Sequence, residues 1–148
     1  MAAIPTDFLW PRLPFGGFAD IPFKNTSTTV NNTPGQLVKL DTANPMSAAQ
    51  PCFGGVLTAA VADCPDGVVV QNTPFGAYGT MQIGGLGTCI VDGGGAITAG
   101  TQLGCSGTVA GAVVTYTATV GDGLVGKALS TSVSTADPIA CLLKLCAL

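Results

Sequence analysis

The chain has 148 residues, the size of one domain, which folding would leave with about two thirds of its unfolded surface buried. Only 9% of it is Asp, Glu, Lys or Arg, against about 25% in ordinary soluble domains. It has no histidine and no glutamate, which excludes a helical protein faced with Glu and Lys. The formal net charge is -3, and the five cations (Arg12, Lys24, Lys39, Lys127, Lys144) are spread along the chain, so direct binding of nucleic acid is not expected.

Apolar residues make up 47% of the sequence, and so few charges leave little to keep an apolar exterior wet. That balance predicts a surface partly covered by other chains. No stretch approaches the roughly 18 uninterrupted apolar residues of a membrane span. The segment after Met1 lacks a cationic start, and Pro5, Pro11 and Pro14 interrupt any apolar run, so no secretory signal is expected. Synthesis and use in the cytoplasm, or in an assembly built there, is the expectation.

Residues 1–51 differ from the rest. Pro5, Pro11, Pro14, Pro22, Pro34, Pro45 and Pro51 recur too often for helices or central strands, and each pushes its predecessor toward extended geometry. Between them stand Phe8, Leu9, Trp10, Leu13, Phe15, Phe18 and Phe23. A disordered tail is poor in such residues because they make burial favourable. The first region is therefore read as an extended arm with apolar anchors for a partner, followed by a polar spacer at 24–34 and a short strand at 36–40. Trp10 reads as an anchor in an apolar pocket.

Residues 52–148 carry turn signals at the close spacing of an all-β module. Strands are predicted at 54–61, 67–71, 77–83 and 88–91, with turns at 64–67, 72–74, 84–87 and 92–95, leading on to an extended segment at 101–103. Over 114–120, Val114, Tyr116, Ala118 and Val120 alternate with threonines, which predicts a long strand with one dry face. A glycine turn at 121–123 and a strand at 125–133 come next. Asp137 and Pro138 are also helix-start signals, but the alternation of Ile139, Cys141, Leu143 and Leu145 favours a closing strand that pairs back toward the start of the sheet.

Chemistry-bearing motifs are weak. The run 121–126 matches G-x-G-x-x-G, but residues 127–134 are poor helix formers and no β-α-β spacing surrounds the motif, so a hairpin turn is the better reading and no cofactor is expected. Without histidine the commonest general base is missing. Asp63, Asp66, Asp92 and Asp122 stand in turn sequences, where Asp is a preferred residue, and read as turn formers. The six cysteines (Cys52, Cys64, Cys89, Cys105, Cys141, Cys146) include no C-x-x-C and have no histidine to complete a zinc site. Buried thiols are expected, with disulfides the less favoured alternative.

From about residue 55 to 145 the chain resembles the capsid decoration, or cement, proteins of tailed bacteriophages. The residues that carry the likeness are Gly55-Val-Leu-Thr-Ala-Ala, Gly95-Ala-Ile-Thr-Ala-Gly with Thr101-Gln-Leu, Val125-Gly-Lys-Ala-Leu and Ile139-Ala-Cys-Leu-Leu. The resemblance implies an all-β, small antiparallel β-barrel or β-tulip-like domain on the outer surface of the virion. It implies the major capsid protein as partner and self-association, a trimer favoured, at local symmetry axes. It brings no catalytic residue. The six cysteines and the Pro- and aromatic-rich leader depart from the family pattern. A tail or surface module recognising a receptor or glycan is the alternative, with Phe75, Tyr78 and Tyr116 as its candidate aromatics.

Overall fold

The structure, a computed structural model, describes residues 20–117, 123–132 and 138–144. These residues form ten strands and no helix. The strands are β1 (Asp20–Asn25), β2 (Leu37–Leu40), β3 (Gly54–Leu57), β4 (Gly67–Val69), β5 (Tyr78–Gln82), β6 (Gly85–Ile90), β7 (Gln102–Cys105), β8 (Val113–Thr115), β9 (Leu124–Ala128) and β10 (Pro138–Leu143). The first five close into a barrel in the order β1-β3-β2-β4-β5, and the last five form a sheet in the order β6-β10-β9-β7-β8.

The all-β expectation holds, with one refinement of the antiparallel barrel. β1 and β3 run parallel, joined at Lys24 opposite Gly54 and Asn25 opposite Gly55, whereas the other four barrel pairings are antiparallel. The cause is parity: around a closed ring of five strands directions cannot alternate without one like-facing pair.

The boundary expected after residue 51 does not separate arm from barrel. β1 and β2 come from the region read as arm and spacer, yet they are barrel strands. Pro22 hides β1 in the sequence, because proline lacks the N–H a central strand donates. The structure resolves this through register. Lys24 donates its N–H to Phe53 O on the β3 side at 3.0 Å. Pro22, two residues earlier, directs its nitrogen to the same side, before the pairing with β3 begins, while on the other side it stands opposite Thr80 of β5. The missing donor therefore costs no ladder bond.

The Leu37 and Val38 portion of β2 and all of β4 are buried on both faces and form a wall between two interiors. Leu37 and Val68, directly opposite each other, join the larger core with Cys89, Val91, Leu103, Val125, Ile139 and Cys141 from the second sheet. Their chain neighbours Val38 and Val69 point the other way, into the barrel with Phe23 and Met81. Period-two alternation puts adjacent residues on opposite faces, so an uninterrupted apolar run such as 67–69 marks a shared wall. The barrel is narrow, and glycine makes room in it. A Cβ on Gly55 would lie 2.6 Å from the Phe23 ring, and one on Gly67 would strike Met81.

The second sheet ends differently from the sequence expectation. β10 alternates as predicted, with Ile139, Cys141 and Leu143 buried and Ala140 and Leu142 exposed. It does not return to the start of the fold. It lies inside its own sheet, between β6 and β9. The 114–120 strand is shorter and shifted: β8 ends at Thr115, and its core residue is Val113, with Val114 and Tyr116 only half-buried. The reason is that Val113 both opposes Cys105 of β7 and bridges Val91, which fixes that residue inward. Ala118 and Val120 lie outside the described residues.

Candidate binding surface

The carboxylates are used to hold loops. Asp63 bridges the Lys39 ammonium at 2.5 Å and accepts hydrogen bonds from the Ala59 and Ala60 N–H groups at 2.6 and 3.0 Å. Burial pushes its carboxyl up, but the bonds from Lys39 and the two amides outweigh that and hold it below the usual carboxylate range. Asp66 accepts from Leu40 N–H at 2.6 Å, tying the 64–67 turn to β2. Asp92 accepts from Gly94 N–H and the Ser106 hydroxyl, both at 2.8 Å. Asp41 is held low chiefly by the Thr26 hydroxyl, against a smaller upward push from burial, with Asn44 and Ala43 assisting. These are the turn roles expected of Asp63, Asp66 and Asp92; Asp122 lies outside the described residues.

The described part of the glycine motif, from Gly123 on, has no phosphate-binding geometry. After Gly123 the chain enters β9, so the required helix is replaced by a strand. Gly123 donates its N–H to Val61 O at 2.7 Å, and a Cβ there would collide with Asp63 O. The glycine answers a close backbone approach. No group of three or more metal-ligating side chains occurs among the described residues.

Four cysteines, Cys52, Cys89, Cys105 and Cys141, are buried free thiols, and Cys64 is disulfide-bonded. The Cys89 and Cys141 sulfurs lie 3.2 Å apart across β6 and β10. The hydrogen bond to Cys141, with burial, holds the Cys89 thiol well above its usual range. Burial pushes Cys105 up to about 11.

What the fold offers to other molecules is apolar surface. Of the predicted anchors, Phe23 is not presented to a partner: it is fully buried at the centre of the barrel. Its place in β1, opposite Gly79 and against the space left by Gly55, is the reason. Phe8, Leu9, Trp10, Leu13, Phe15 and Phe18 lie outside the described residues. Two exposed regions stand out. On the barrel, the candidate aromatics Phe75 and Tyr78 are 52% and 53% exposed, and the Lys24 ammonium sits 5.9 Å from the Tyr78 ring centre. On the outer face of the second sheet, Leu142 stands directly opposite Leu86, with Lys127 on its other side. Sequence reasoning misses this second face, although the alternation of β10 carries a signal for it, since its outward position 142 is apolar.

Fold and surface together define a two-interior all-β domain with loop-holding carboxylates and exposed apolar faces. Neither a family model nor a curated protein matches the chain. Among solved structures, the chain is similar to the head fiber gp8.5 N base of bacteriophage phi29, with a TM-score of 0.62 and 14% sequence identity. The alignment covers 86% of this chain and 95% of the phage domain, so the likeness is one of whole fold.

Proposed function

We propose that this chain is a structural protein of a phage head: a decoration protein that sits on the outer surface, binds the major capsid protein and bridges neighbouring subunits. The observation that carries the reading is the shared fold with the base of a phage head fiber, over nearly the whole length of both chains. The low charge and exposed apolar residues support it, because such a surface gains from being covered. On this reading Phe8, Leu9, Trp10, Leu13, Phe15 and Phe18 are arm anchors that cross from one subunit to the next, without Phe23. Copies associate with one another, a trimer favoured, at local symmetry axes. The role is noncatalytic and uses no cofactor, membrane or nucleic acid.

The test is quantitative mass spectrometry of purified heads of the encoding phage, with an impermeant amine label applied before lysis. The chain is expected at fixed stoichiometry to the shell subunit and labelled from outside. A truncated chain of residues 20–148 is expected to fold and to bind heads more weakly than the full chain. Absence from heads overturns the reading. The exposed pair Phe75 and Tyr78 favours a second one, in which the barrel recognises a receptor glycan by stacking. Selective glycan-array binding lost in Tyr78→Ala would favour it.

A further inference from the structure

The outer face of β10 and β9 combines two features: exposed leucines and ammonium groups without an ion-pair partner among the described residues. A groove of about 450 Å³ runs there, lined in part by Gln102, Leu124, Lys127, Leu142 and Lys144. Lys127 is directly opposite Leu142 on one side and Gln102 on the other. Leu142 is in turn opposite Leu86, and both leucines are 46% exposed. Lys144 lies two residues beyond Leu142, on the same outward face.

The electrostatics of this face oppose those of the chain. The protein carries a net charge of -3, yet two of its five cations line one groove, and no carboxylate lines it among the described residues. Elsewhere Lys39 is paired with Asp63 and Lys24 stands over Tyr78. Lys127 and Lys144 have no ion-pair partner among the described residues. Covering the leucines is favourable in proportion to the apolar area removed from water, but covering two ammonium groups without counter-charge carries a large desolvation cost. A partner that satisfies both must bring carboxylates spaced among apolar side chains.

Deepening the reading given above, and resting on it, we propose that this groove is the seat of an acidic, apolar segment of the shell subunit. Its carboxylates pair with Lys127 and Lys144 while its apolar side chains cover Leu142 and Leu86. A second copy of this chain is a poor occupant. In a trimer the contact joins two different faces, and the carboxylates a second copy could bring to the lysines, Asp41, Asp63, Asp66 and Asp92, are committed to their own loops.

Zero-length carbodiimide crosslinking of intact heads, read by peptide mass spectrometry, tests this because it joins a lysine amine to a carboxylate by an amide bond without a spacer, only where the two are in contact. The expected product links Lys127 or Lys144 to an Asp or Glu of the shell subunit. The double variant Lys127→Glu/Lys144→Glu is expected to melt as the parent does and to bind heads about tenfold or more weakly, with parent binding falling as salt is raised. Crosslinks confined to Lys24 or Lys39, links between two copies of this chain through Lys127 or Lys144, or full binding by the double variant would overturn the inference while leaving the head assignment standing. Absence of the chain from heads would overturn the assignment itself and the inference with it.

Discussion

Leu37 and Val38 are consecutive, both fully buried, and belong to different interiors: Leu37 faces the second sheet and Val38 the barrel. One short strand thus joins the two halves. Leu37→Ala removes a side chain from the shared wall and is expected to destabilise the fold by about 2–5 kcal/mol. Urea unfolding monitored by far-UV circular dichroism and by amide exchange in β9 and β10 would show both halves weakened together. Loss confined to the barrel would refute a shared wall.

The barrel interior is full without a side chain at position 55. Gly55→Ala places a methyl group against the Phe23 ring, and overpacking of this kind costs about 1–3 kcal/mol. Shortening the ring residue in Gly55→Ala/Phe23→Leu should recover part of the loss. Thermal melts of the single and double variants measure the coupling, and strict additivity would show that the two positions do not meet.

Much of the fold is legible in the sequence, for reasons tied to period and turns. The strand positions at 37–40, 54–57, 67–69 and 138–143 are marked by short apolar runs bounded by Gly, Pro and Asp, and the position at 78–82 by the turn signals on either side of it. β1 is not legible, because whether Pro22 breaks a strand depends on where β3 begins to pair, a nonlocal fact. For the same reason Phe23 reads as a free anchor when it is core. The phase of β8 is nonlocal too: the alternation from Val114 is good along the chain, but the bridge between Val113 and Val91 decides which side is dry. The exposed face carrying Leu86, Lys127 and Leu142 joins three strands far apart in the chain, so no local pattern could assemble it.

Acid stability should report the bonds to Asp63. Its folded carboxyl is held below the usual range, so the native state prefers the charged form. The stabilisation is present above the unfolded carboxylate range and is lost as pH falls through the lower folded value. Asp63→Asn removes the charge and weakens the Lys39 and amide contacts, and is expected to cost about 1–3 kcal/mol at neutral pH. Melting temperatures at descending pH should converge for parent and variant once the pH has fallen through the lowered range of the folded Asp63 carboxyl. A constant gap down to the lowest pH would contradict the assignment.

Cys52, Cys89, Cys105 and Cys141 are buried, and a thiol held near 11, as Cys105 is, stays protonated at neutral pH. Since the thiolate is the reactive form and burial bars the reagent from all four, including Cys141, whose thiol its bond with Cys89 holds low, alkylation in the native protein is expected to be slow and to become fast in denaturant. Peptide mapping after brief iodoacetamide treatment distinguishes the sites. Rapid native labelling of Cys89 or Cys141 would show that the interface of β6 and β10 opens.

A role on the phage head is tested most directly by binding of the purified full chain to heads that lack it, measured by co-sedimentation together with the temperature at which those heads release their DNA. Saturable binding and a higher release temperature are expected. A chain that remains in the supernatant as a monomer, with the release temperature unchanged, would refute the assignment.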